Sequence, residues 1–334
     1  MFDLKRVRPL DAAIAVAMVV VIGLGGFLGY LVWSSQRQLK AASPVYRGLD
    51  ELVAAVRENP DDLTMRVRLA QALSLSGRRN EAVKQYESIL KVKEDYAPAL
   101  AGLGTLALRE KDYKTAENYY RQVIEIAAKD AESSNSTGLE QAYFYIGTAI
   151  MEQKRYEEAA GYFKEALRLK RDSSTTHYLL AVCLRELELP EAYRESLGNT
   201  LLFDPKHPEA NYDYGRILLD EGDEAGAAEH FRLSADSAPN IDIPRKALEE
   251  LGPWETRIEA ARAVAKSDRG KALVEARVAA ALRPRSVETF VLLGDLYADA
   301  GNEAKAREAY SHALGMDAGS DAAKAGLERV GDGS

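Results

Sequence analysis

Any chemistry in this chain has to come from a short inventory. Its histidines, His177, His207, His230 and His312, are scattered, and no two stand at the spacing that ligands of one metal ion need. Cys183 is the only cysteine, which excludes an internal disulfide and any multi-cysteine metal site. It lies between Val182 and Leu184, a setting that suits a small buried core residue better than a reactive thiol. No His-Glu-x-x-His, Cys-x-x-Cys, Gly-x-Ser-x-Gly or phosphate-loop pattern occurs. Gly23, Gly25, Gly26 and Gly29 cluster as in a nucleotide loop, but their spacing fails the dinucleotide pattern and they stand inside an apolar run. Asn135-Ser136-Thr137 fits a glycosylation acceptor, a triplet common by chance. Aspartate and glutamate are abundant but fall on polar helix faces, where solvated charge is the default. The expectation is a non-enzymatic chain with no catalytic residue, no metal and no cofactor.

The residues left to do work are those that can grip another molecule, and they need elements to hold them. The chain has 334 residues, 29% charged and 46% hydrophobic, a composition that folds in water. Eleven prolines, with no β-branched runs or turns at strand spacing, argue against an all-β fold. Residues Ala12 to Trp33 carry no charge between Asp11 and Arg37. As a helix that run is roughly 33 Å long, enough to cross the hydrocarbon core. Tyr30 and Trp33 stand at its far end, where amphipathic rings favour the headgroup layer. It is longer than a signal-peptide core and no small-x-small cleavage site follows, so it reads as an uncleaved transmembrane anchor. Gly25 and Gly29 form a Gly-x-x-x-Gly pair that would let two such helices meet and the chain form a homodimer.

Lys5, Arg6 and Arg8 precede the span and Arg37, Lys40 and Arg47 follow it; with the α-amino group, the bias places the N-terminus in the cytoplasm and the body outside it. Residues 1–43 hold five basic and two acidic side chains, against 39 and 50 in the remainder. A body that acidic has no electrostatic reason to bind nucleic acid.

Beyond the anchor the chain repeats itself. Ala82, Ala116, Ala159, Tyr193, Ala227, Ala272 and Ala306 are separated by 34, 43, 34, 34, 45 and 34 residues. A second series, Ala70, Gly104, Gly147, Ala181, Gly215, Ala260 and Gly294, steps by the same six intervals. Aromatics fall four residues after members of the first series, at Tyr86, Tyr120, Phe163, Phe231 and Tyr310. Gly77, Gly222 and Gly301 sit where a left-handed residue ends a helix cheaply. This pattern resembles the tetratricopeptide repeat, a helix–turn–helix unit of 34 residues. The resemblance implies an all-α, right-handed α-solenoid of about seven repeats, beginning near 63, 97, 140, 174, 208, 253 and 287. The expected organisation is a basic tail at 1–11, the anchor at 12–33, a linker at 34–47 and a half-repeat helix at 48–60. Five repeats then occupy 63–241, with a polar loop inserted at 129–138. A short insertion at 242–252, with Pro244 and a helix of one or two turns, divides these from two further repeats at 253–320, and a capping helix and tail fill 321–334.

In proteins that this chain resembles, the first helix of each repeat lines a concave groove that binds peptides or helices. The fifth positions of the first helices include Phe144, Tyr178, Tyr212 and Arg257; Arg185 and Arg216 border them, and Trp254 opens the sixth repeat. These seven are the expected peptide-binding groove, suited to an apolar or aromatic segment with an acidic flank. The Lys and Asn set of the carboxylate-clamp subgroup is missing. The reading is therefore a membrane-tethered scaffold that binds a protein partner and no nucleic acid. One span followed by Asn59-Pro60-Asp61-Asp62 and repeats also resembles the tetratricopeptide subunit of cytochrome c maturation systems, which presents apocytochrome for haem attachment. An accessory subunit of a secretion or cell-envelope system is the third alternative.

Overall fold

A computed structural model describes residues 44–129 and 136–331, and every described element is helical. The expected anchor at 12–33, with Gly25 and Gly29, lies outside the described residues. Among those described, no helix is long and apolar enough to cross a membrane. The chain forms two compact units that part between Ser134 and Asn135.

The first unit holds α1 (Pro44–Glu58), α2 (Leu63–Leu75), α3 (Arg79–Leu90), α4 (Ala97–Arg109) and α5 (Tyr113–Lys129). The second holds α6 (Ser136–Glu152), α7 (Tyr156–Leu169), α8 (Ser174–Glu186), α9 (Pro190–Phe203), α10 (Pro208–Asp220) and α11 (Glu224–Ser237). It continues through α12 (Asp242–Glu250), α13 (Trp254–Val264), α14 (Arg269–Leu282), α15 (Val287–Asp299), α16 (Glu303–Met316) and α17 (Asp321–Val330). Two expected helix pairs thus fall in the first unit and five in the second. Leu49 of α1 is buried with α2, as a half-repeat helix requires. The capping helix α17 packs on α15 and α16, where Arg329 reaches Asp295 at 2.7 Å and Tyr310 Oη at 2.6 Å.

The two series in the sequence meet in space. A β-carbon on Gly147 would stand 2.9 Å from the Phe163 ring, and one on Gly215 2.8 Å from Phe231. The ring of the second helix therefore rests on the bare backbone of the first, and both rings are fully buried. Between paired helices the chain turns through one left-handed residue. Gly77, Gly222 and Gly301 have φ of 77°, 84° and 75°, and at the equivalent places Lys111, Lys154 and Glu188 have 61°, 63° and 56°. In each, the following N–H donates back to a carbonyl five residues earlier, as Leu189 does to Leu184 at 3.0 Å. A side chain there opposes the left-handed backbone. Glu188→Gly is expected to stabilise the protein by up to about 1 kcal/mol, net of the greater freedom of glycine when unfolded. An unchanged or lowered urea midpoint would count against this.

Three expectations are corrected. The stretch 129–138 is not simply a loop: α5 runs to Lys129 and α6 starts at Ser136, so the insertion lengthens both helices to 17 residues. The insertion at 242–252 holds a short helix as expected, α12, but it does not part the array. Its Pro244, Ala247 and Leu248 are buried, and Ala247 and Leu248 join a core with Phe231 of α11 and Val278 of α14. It also changes the stacking, because α11 packs against the inserted α12 and the second helix α14, and meets α13 through an ion pair of Arg257 with Glu224.

The third correction is a slip of one residue. The caps Ser173 and Leu189, His207 and Asp223, and Ser286 and Asn302 each stand 16 positions apart; in the sixth repeat Pro253 and Asp268 stand 15 apart. The small residue of that repeat is thus Ala261, fully buried, and not the half-buried Ala260. The missing residue is the left-handed one: Asp268 N–H bonds instead to Val264 at 2.8 Å.

Candidate binding face

The helices α6, α8 and α10 carry Phe144, Tyr178 and Tyr212 at the same place in three successive repeats, and all three are half-buried. Their inner sides rest on the core. The Phe144 centroid is 6.2 Å from Phe163, and the Tyr212 centroid 5.7 Å from Phe231. Their outer sides remain accessible to a ligand. These rings therefore also support the core, so Tyr178→Ala and Tyr212→Ala are expected to carry a stability cost.

Tyr178 is held differently. Its hydroxyl donates to Asp213 Oδ2 at 3.3 Å, and its ring lies 4.7 Å from His207. Tyr193 also donates to Asp213, and Arg185 Nη1 stands 3.5 Å from the same carboxylate. This explains why a tyrosine replaces the small residue at 193: its hydroxyl satisfies a carboxylate on the next repeat. Burial raises the Asp213 pKa above the ordinary carboxylate range, against the opposing charge of Arg185. Burial likewise pushes Tyr193 up to about 12, so both hydroxyls keep their protons and donate. Sequence reasoning missed Asp213; the oversized residue at 193 was the available sign of a buried partner.

The remaining expected groove residues divide. Arg216 is exposed on α10 and forms no ion pair with a described residue. Arg185 also approaches Glu186, at 3.4 Å, so two carboxylates already answer its charge. Trp254 is engaged within the fold, donating from Nε1 to Thr289 Oγ1 at 2.9 Å with the Arg283 guanidinium 4.0 Å above its ring. Arg257 is turned inward. Its Nη1 is 2.8 Å from Glu224 and 2.9 Å from Glu275, and its Nε donates to the Leu251 carbonyl at 2.8 Å. The one-residue slip is the reason: the sixth-repeat counterpart of Tyr212 is Ile258, which is buried.

One row along the same helices went unnoticed. Glu152, Glu186 and Asp220 stand eight residues beyond the three aromatics, again at 34-residue steps, and all are exposed. With Arg185 answered by Asp213 and Glu186, the charges left without a described partner among these residues are the carboxylates of Glu152 and Asp220 and the guanidinium of Arg216, a net negative balance of one.

Cys183 on α8 is fully buried, and burial pushes its thiol up to about 12. Thiolate is the reactive form. At pH 8 the folded protein is expected to react with Ellman's reagent at a small fraction of the rate seen in denaturant; equal rates would show that α8 opens freely.

Sequence models described as tetratricopeptide repeats match residues 140–173, residues 67–131 and 191–240, and residues 287–319. The chain is similar to human tetratricopeptide repeat protein 34, at 29% identity over 188 residues covering 52% of this chain and 33% of that one. It is similar to mouse superkiller complex protein 3, at 43% identity over 156 residues covering 46% of this chain and 8% of that one. The chain spans a third or less of the length of the first curated relatives it matches. Among solved structures, YrrB, a TPR protein with an unusual peptide-binding site, aligns with a TM-score of 0.47 at 19% identity, covering 59% of this chain and 96% of that one.

Proposed function

The chain belongs to the tetratricopeptide repeat family, and from that premise we propose that it is a membrane-tethered scaffold whose first-helix face on α6, α8 and α10 holds a segment of another protein. The observation that carries this reading is the row of Phe144, Tyr178 and Tyr212, seated on the core at one edge and accessible at the other. Large amphipathic rings lose little conformational freedom on binding and dominate many interfaces. The exposed, unpaired carboxylates of Glu152 and Asp220 select a segment with apolar side chains and a Lys or Arg flank, since complementary charge sets specificity and on-rate. The apolar run at 12–33 is the tether, with the body on the outer side of the cytoplasmic membrane.

The test is site-specific photocrosslinking in intact cells. A photoreactive residue at Arg216, on this face, is expected to capture a defined partner, and one at the exposed Lys164 of α7 is not. Glu152→Lys with Asp220→Lys should weaken that capture at least tenfold without moving Tm. Capture that is equal from both positions, or unaffected by reversing the charges, overturns the reading. The identity of the captured protein also separates a general scaffold from an apocytochrome-presenting or envelope-system subunit.

A further inference from the structure

The inserted helix α12 alters the stacking on the opposite, second-helix side as well. Because α11 packs on α14 directly, the second helices α11, α14 and α16 enclose a cleft of about 1230 Å³. Its floor comes from α15: Phe290, Leu293 and Tyr297. In the first four repeats the counterparts of Tyr297 are Leu73, Ala107, Ile150 and Leu184, all buried, whereas Leu218 and Val264 of the next two repeats and Tyr297 are half-buried, and of these Tyr297 lines the cleft. A position that is core in the first four repeats is therefore open here. The Phe290 ring meets the His312 ring at 4.1 Å with the planes tilted by 53°, so the floor is aromatic.

The walls are charged. Arg232 is paired with Asp236 at 2.8 Å and Arg277 with Glu229 at 3.5 Å. The ions that remain without a carboxylate or ammonium partner among the described residues are Arg285, Lys305 and Glu308, an excess of one positive charge. Lys305 lies 5.5 Å from the Tyr297 centroid, at the edge of the aromatic floor. This local balance is opposite in sign to the body as a whole, where acidic residues outnumber basic ones.

We propose that this cleft is a second peptide-binding site, which takes a segment of a partner protein bearing an apolar or aromatic side chain next to carboxylates. The apolar side chain sits on Phe290 and Tyr297, and the carboxylates meet Arg285 and Lys305. The ligand is opposite in charge to the one that suits the first-helix face, so the two sites do not compete.

The probe is a random peptide library displayed on phage, panned against the full-length chain in mild detergent and, in parallel, against Arg285→Glu with Lys305→Glu. Both substituted residues are exposed, so the double variant should melt with the wild type, which a circular-dichroism scan verifies. Selection on the wild type is expected to enrich an acidic–apolar consensus. The corresponding synthetic peptide should bind the double variant at least tenfold more weakly, and should bind Lys164→Glu, a charge reversal at an exposed position of α7 outside the cleft, as tightly as the wild type. The proposal is overturned by any of four results: no consensus, a basic consensus, equal binding to the double variant, or sedimentation showing a wild-type dimer that the double variant abolishes. The last would make a second copy of the chain the occupant.

Discussion

Replacing Phe163 with alanine is expected to destabilise the second unit by about 3–5 kcal/mol, the cost of removing a large buried ring and leaving a cavity. The ring is fully buried, with the backbone of Gly147 against one part of it and Phe144 6.2 Å away. The surroundings cannot collapse easily, because rigid helix backbone lines the site. In a repeat array each element contacts only its neighbours, so the damage should be local. Hydrogen exchange should show lost protection in α6, α7 and the adjoining α8, with α15 to α17 affected least. A loss below about 1 kcal/mol, or an even loss throughout the second unit, would refute the packing argument. The same substitution should loosen Phe144 and so weaken partner capture, which makes it a poor test of binding by itself.

Arg257→Ala is expected to produce the second-largest loss, about 2–3 kcal/mol, and to leave partner capture by the first-helix face intact. Removing one member of a fully buried ion pair costs about 3–5 kcal/mol; the figure here is reduced because solvent reaches part of this network. The Arg257 side chain is 17% exposed and that of Glu275 13%, whereas that of Glu224 is 41% exposed. The guanidinium bridges α11, α14 and the turn at Leu251, which together hold α13 in place. Arg257→Lys should not restore stability, because a single ammonium cannot reach all three acceptors in that planar arrangement. Thermal melts of the three proteins check both statements. An Arg257→Ala protein that melts normally but loses its partner would return this residue to the groove.

These two residues illustrate different degrees of legibility. Phe163 was readable because the pattern that places it is local: helix period, turn and neighbouring helix all repeat every 34 residues, and each copy reinforces the others. Arg257 was misread because counting intervals cannot detect a deletion that two alanines conceal. Ala260 and Ala261 are chemically identical, and only the packing of α13 against α14 selects which one is buried. The helix α12 was legible as one or two turns, but its packing was not. Nine residues with a proline near the start are marginal alone, and this helix is stabilised by burying Ala247 and Leu248 on a core supplied by α11 and α14.

By itself the sequence determined the all-helical class, the number of paired helices, the half-repeat at the start, the cap at the end and the aromatic row on α6, α8 and α10. All of these follow from backbone geometry and from contacts between elements adjacent in the chain. The tertiary structure alone decided which of the candidate side chains remain available. Asp213 joins Tyr178, Tyr193 and Arg185 from two repeats, and Arg257 spends its charge on Glu224 and Glu275. The cleft over Phe290 and Tyr297 likewise exists only because α11 and α14 meet. Those outcomes depend on distances between residues tens of positions apart, set by a one-residue slip and a short inserted helix, and no periodicity along the chain encodes them.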